Sequence, residues 1–133
     1  MRPQIIAFTG LSLIAAPVAA KPPLRDVPAI DDALLDLGIA DRIRKECPSI
    51  SARMLKAMSY VHNLEKQAKS MGYSSTEIEA YTDSDAEKAR MRAKGAAFFK
   101  AKGVDTSDPQ SYCVLGNAEI QKGSRIGSLL RAK

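Results

Sequence analysis

From residue 50 to residue 71 the apolar positions fall at alternating steps of four and three: Ile50, Met54, Ala57, Val61, Leu64, Ala68 and Met71. That period puts all seven on one side of a helix and predicts a helix over 49–71 with this stripe facing the core. Pro48 suits the first helical position, where a missing N–H forfeits no hydrogen bond. Gly72 suits the stop, because it enters the left-handed region without a steric penalty.

Upstream, Ile30, Leu34 and Leu37 make one stripe, and Ala40, Ile43 and Cys47 continue it at helical spacing. Asp31 and Asp32 complement the positive end of a helix starting near Ile30. Gly38 interrupts the pattern, which predicts a short helix to about Leu37, a break, and a further turn or two to about Lys45. One kinked helix is the alternative. Before it, residues 21–28 (KPPLRDVP) hold three prolines and predict an extended, exposed arm.

Downstream, two Ser-x-x-Glu capping boxes mark helix starts: Ser74 with Glu77, and Ser84 with Glu87. They predict helices over 75–81 and 85–102, with Thr82-Asp83 as the joint and Gly103 as the stop. The second helix would turn an alanine seam inward (Ala86, Ala89, Ala93, Ala96, Ala97), with Phe98 or Phe99 filling space near its end. Lys88, Arg92 and Lys94 would form its solvated face. Asp108-Pro109 starts a last helix carrying Tyr112, Cys113, Gly116 and Ile120 to about Gln121 or Lys122. Gly123 and Gly127 punctuate a tail whose Ile126, Leu129 and Leu130 are expected to dock as a short helix. No stretch alternates apolar and polar residues over a useful length. The fold class is therefore all-α: five to six short helices in one compact domain over residues 29–133.

The first twenty residues change the setting. Met1-Arg2 is a short positive start, residues 5–16 are uncharged and apolar, and Val18-Ala19-Ala20 is a run of small residues before Lys21. This is the order of a secretory signal peptide, with cleavage expected between Ala20 and Lys21. The run is shorter than the ~20 apolar residues that span a bilayer. Removing residues 1–20 takes away Arg2 and no acid, so the mature charge is one unit below the full chain's +5. Export points to a periplasmic protein, with no transmembrane segment in the mature chain. The cations are interspersed with acids, as on a solvated surface, which argues against a nucleic-acid partner. A protein partner is the expectation, and loose attraction to an anionic membrane face is the weaker alternative.

Two cysteines, Cys47 and Cys113, enter an oxidising compartment in a small domain, where they are expected to pair. The bond would close most of the middle of the chain into one loop and stabilise it by about 4 kcal/mol. A redox pair usually keeps its sulfurs close in sequence, and a metal site would want more ligands than the single His62 adds. His62 sits mid-helix with no visible nucleophile. Glu77/Glu79 and Asp83/Asp85 stand two apart, a spacing that points side chains away from each other on a helix. Asp83-Ser84-Asp85 lacks the glycine and later glutamate of a calcium loop. The Gly123-x-x-x-Gly127 pair lies in a polar tail, which defeats a membrane-dimer reading. No catalytic, cofactor-binding or metal residues are assigned, and no cofactor is expected.

Several blocks together carry a resemblance. They are Gly38-Ile39-Ala40-Asp41, Cys47 with 49–54 (SISARM), 84–92 (SDAEKARMR), and Tyr112-Cys113-x-x-Gly116 with Gly123-Ser124-x-Ile126-Gly127-x-Leu129-Leu130. The chain resembles a bacterial family of small exported proteins classed only as a domain of unknown function. The resemblance implies a Gram-negative periplasmic setting and carries over no activity. The leading expectation is a non-enzymatic accessory or binding protein. An immunity-like inhibitor or an acid-stress chaperone is the alternative, and an accessory factor linked to respiratory complex I is a further lead attached to the resemblance.

Overall fold

The computed structural model describes residues 21–133, so the expected leader 1–20, with Ala20 of its cleavage junction, lies outside the described residues. Helix α1 (Pro28–Glu46) runs through the centre of the fold. Helices α2 (Met54–Ser70), α3 (Ser75–Thr82), α4 (Asp85–Ala101), α5 (Pro109–Lys122) and α6 (Arg125–Ser128) follow in order. Two three-residue strands, β1 (Ile50–Ala52) and β2 (Leu130–Ala132), pair antiparallel. The all-α class holds, with six α-helices among the described residues.

Helix α1 is continuous, starts at Pro28 as its first residues, and does not break at Gly38. A mid-helix glycine costs about 1 kcal/mol relative to alanine. Buried residues on both sides of Gly38 (Ile30 and Ala33 before it, Ile39, Ala40 and Ile43 after it) hold the helix straight through.

The largest correction falls at 48–53. The helix expected from Ser49 starts only at Met54, and Ile50 belongs to β1. Cys47 leaves α1 in extended geometry. The chain then pairs Ile50 with Ala132, Ser51 with Arg131 and Ala52 with Leu130. Arg53 N–H donates to the Leu129 carbonyl at 2.8 Å, and Lys133 N–H to the Ser49 carbonyl at 2.9 Å. A partner strand at the far end of the chain is invisible to local periodicity, and it outcompetes one more helical turn.

Residues 21–28 stay largely exposed, as expected of an arm, but they are not extended throughout and not free. Leu24–Asp26 form a 3-10 turn, and Leu24 is buried in a small cluster with Ile30, Ala68 and Tyr73. The Tyr73 hydroxyl donates to the Pro22 carbonyl, and Lys21 Nζ donates to the Gly72 carbonyl at 2.6 Å and pairs with Glu77 at 2.9 Å. One apolar leucine and one tyrosine hydroxyl are enough to tie down a proline-rich segment that pattern alone reads as free.

The Ser74/Glu77 capping box forms in both directions. In the second, Ser84 accepts from Glu87 N–H, while the Glu87 carboxylate turns to Arg90 at 2.7 Å and Arg25 at 3.4 Å. The alanine seam of α4 is a second correction: all five alanines are exposed. The face that docks carries Gly95 and Phe99 buried, with Arg90, Met91, Lys94 and Phe98 half-buried. Phe99 packs edge-on to Tyr112 at 5.2 Å, so the bulky residues win the interior.

The main core surrounds the Cys47–Cys113 disulfide, which joins the end of α1 to α5. Ile43, Ile50, Tyr112, Leu115 and Leu129 are buried beside it. The tail docks as expected: Ile126, Leu129 and Leu130 are buried, with α6 followed by the unexpected β2. Gly123 closes α5 at φ 64°, and Gly127 lies where a Cβ would fall 1.9 Å from the Glu119 carbonyl oxygen. The Gly-x-x-x-Gly pair thus brings α6 against the end of α5.

Candidate functional site

Two features stand out from this frame: a buried ionic hub, and an uncovered helix face. The hub is Asp31. Sequence placed it at the positive end of a helix starting near Ile30, and it does lie in the first turn of α1. Its position on the inner side of α1 also buries it against α3 and α4. Arg90 Nη1 donates to its Oδ2 at 3.1 Å and Lys94 Nζ to the same oxygen at 2.9 Å, while Arg90 Nη2 and the Tyr81 hydroxyl donate to Oδ1. Burial pushes the carboxyl's pKa up, but the hydrogen bonds from Arg90, Tyr81 and Lys94 outweigh it and hold Asp31 well below the usual carboxylate range. Burial, with the hydrogen bond to Asp31 and that residue's charge, pushes the Tyr81 hydroxyl further above its ordinary value. Lys94, expected on a solvated face, is one arm of this hub. Arg90 was not singled out by pattern, because its partner lies on another helix.

The hub's chemistry is structural. Its donors and acceptors satisfy each other, and among the described residues no buried side-chain nitrogen or oxygen lacks a partner. Removing the carboxylate should leave Arg90 and Lys94 facing each other across apolar surroundings. Asp31→Asn is expected to destabilise by about 2–3 kcal/mol, below the full cost for a fully buried pair because both cations keep some solvent. The folded-state pKa is depressed, so the hub's contribution is complete above the ordinary value of 3.8 and drains away as pH falls through the lower folded value. Chemical denaturation should therefore show a constant gap between wild type and variant above about pH 5, narrowing progressively as the pH falls below about 4.

The uncovered face is on α2. Its inner side carries Ala57, Tyr60, Leu64 and Ala68, and the Tyr60 hydroxyl donates to the Ala33 carbonyl of α1 at 2.8 Å. The stripe that seemed to run wholly inward divides. Ala57, Leu64 and Ala68 pack, whereas Met54 and Val61 stand 60% and 44% exposed. Leu55 is 83% exposed and Met58 65%. The division follows from the start of the helix: with Ile50 taken into β1, the stripe loses its first anchor and α2 docks on a narrower line. Leu55 and Met58 fall outside the alternating stripe, and only their bulk on an otherwise polar face marked them.

Charge surrounds this patch. Arg53, Lys56, Lys66 and Lys69 flank or follow it, with Glu65 as the helix's one carboxylate, paired to Lys69 at 2.8 Å. His62 is exposed on the same outer side. The other carboxylates considered from sequence do not converge: Glu77 serves the capping box and Lys21, Glu79 is exposed, Asp83 ends α3 and Asp85 opens α4. Among the described residues no helix is long and apolar enough to cross a membrane.

No curated protein and no solved structure matches the chain. The family model DUF5333, a family of unknown function, matches residues 22–131, from the docked 21–28 segment to β2, so the chain belongs to that family.

Proposed function

We propose that the protein is a non-enzymatic accessory module of the periplasm that works by contact, through the outer face of α2. The observation that carries this reading is the cluster Met54, Leu55, Met58 and Val61, four bulky apolar side chains left in water on one helix. Contiguous exposed apolar surface of this kind marks interaction sites on otherwise well-packed domains. The rest of the architecture supports a rigid presenter: the disulfide, the Asp31 hub and the α5–α6 contact all fasten elements behind α2. Tagged protein captured from the cell envelope of its native host should bring down a reproducible partner with wild type. The Leu55→Asp/Met58→Asp variant should lose it while its melting temperature stays within a few degrees, since exposed substitutions usually move stability by about 0.5 kcal/mol or less. Equal capture by the variant rejects α2 as the surface.

A further inference from the structure

We propose that a cavity between α1 and α4 binds a small amphipathic carboxylate, an unbranched acyl chain whose acid group meets the Tyr112 hydroxyl. None of the lining residues belongs to α2, so this site stands apart from the contact face proposed above.

The cavity holds about 380 Å³, within the range of roughly 300–1,000 Å³ of ordinary small-molecule sites. Its walls are apolar: Leu34, Leu35 and Ile39 from α1, Met91 and Phe99 from α4. The space has a cause in the sequence. Each helix turns a glycine to the cavity, Gly38 and Gly95, and a Cβ at either position would meet nothing within 4 Å. Both are mid-helix positions, where glycine is otherwise a poor choice. Along α1 the lining runs from Leu34 to Lys45, about 17 Å at the helical rise per residue. A groove of that length suits a linear chain.

Tyr112 marks the polar end. The residue is 1% exposed, and its ring packs on Phe99. The hydroxyls of Tyr60, Tyr73 and Tyr81 donate to Ala33, Pro22 and Asp31. That of Tyr112 has no hydrogen-bond partner among the described residues. Every fully enclosed side-chain oxygen among those residues is satisfied, so the Tyr112 hydroxyl keeps an opening, and the cavity it lines supplies one. A hydroxyl held in an apolar wall with no partner is completed by a ligand that brings an acceptor.

Charge at the mouth favours an acid. The charged lining residues are Asp41, Arg42, Lys45 and Arg92. Asp41 is held by Arg44 at 2.6 Å and Lys45 at 2.7 Å, and Arg42 pairs with Glu46 at 3.2 Å. Arg92 has no carboxylate partner among the described residues, and a guanidinium only donates. The groups left to a ligand are thus the Tyr112 and Thr106 hydroxyls and one guanidinium. A carboxylate accepts from all three kinds of donor, whereas a cationic ligand would find no free carboxylate there.

Titration of the purified, disulfide-bonded protein with hexanoate, octanoate and decanoate below their micelle concentrations, followed by amide NMR, tests this. One saturable site is expected, with shifts concentrated at Gly38, Gly95 and Tyr112, and affinity rising roughly threefold per added methylene. Decanol should bind about tenfold more weakly than decanoate. Gly38→Leu fills the groove from an exposed helical position and should abolish binding without lowering the melting temperature. Tyr112→Phe removes an oxygen that has no protein partner, so its melting temperature should hold within a few degrees while decanoate affinity falls about tenfold. Absence of saturable decanoate binding, affinity that is flat along the series, or unchanged binding by Gly38→Leu overturns the site. Equal binding of decanol, or unchanged affinity in Tyr112→Phe, overturns the placing of a carboxylate at Tyr112.

Discussion

Replacing Cys47 and Cys113 together by alanine is expected to lower the unfolding free energy by about 4 kcal/mol. The bond joins residues 66 apart, so in the unfolded chain it forbids most of the arrangements available to the middle of the molecule. Both cysteines are buried in the core where α1 ends and α5 passes. The loss therefore reaches the point where β1 begins, beside Ile50. The double substitution is the cleaner experiment, because a single change leaves a buried thiol free to react. A small domain holds about 5–15 kcal/mol in total, so the variant should denature at a markedly lower urea concentration. A midpoint shift worth less than about 1 kcal/mol would mean that the surrounding apolar contacts, and not the crosslink, hold this end together.

Gly127→Ala is expected to cost about 3 kcal/mol or more, the upper range for overpacking. The added methyl would fall 1.9 Å from the Glu119 carbonyl oxygen and 2.6 Å from the Ile120 nitrogen. These are backbone atoms of α5, which cannot swing aside as a side-chain tip can. Relief requires α6 to move off α5, and Ile126, Leu129 and β2 would move with it. Gly38→Ala is the matched control. Nothing lies within 4 Å of a Cβ there, so replacing this mid-helix glycine should stabilise by about 0.5–1 kcal/mol. Thermal unfolding of the two variants side by side should show shifts of opposite sign. A neutral Gly127→Ala would contradict the close α5–α6 contact.

What could be read in advance followed from signals carried by neighbours in sequence. The Asp108-Pro109 start and Gly123 stop bound α5 as expected, because cap, proline and left-handed glycine act within a few residues. Ser74 with Glu77 likewise opened α3. The disulfide was legible because only two cysteines exist to pair. What escaped depended on distant partners. β1 exists because β2 lies beside it, and neither three-residue strand alternates long enough to announce itself. Asp31 looked like a dipole partner until α3 and α4 folded over it. The alanines of α4 had helical spacing, but so did Met91, Gly95 and the phenylalanines, and volume decided which line went inside. The α2 stripe misled in an informative way: its periodicity was real, and its exposed members Met54 and Val61 join Leu55 and Met58, from outside the stripe, in the candidate contact surface. Periodicity reports that a helix has an apolar line, and does not report whether the protein itself or a partner covers it.

The account's central claim is that the outer face of α2 is where this protein touches something else. A photo-crosslinking amino acid placed at Leu55, with a second chain carrying it at the exposed Ala97 on α4 as reference, measures that contact in the native cell envelope. The account predicts a strong, reproducible adduct from position 55, whether to lipid or to a protein, and little from position 97. Equal or absent labelling at position 55 would contradict it.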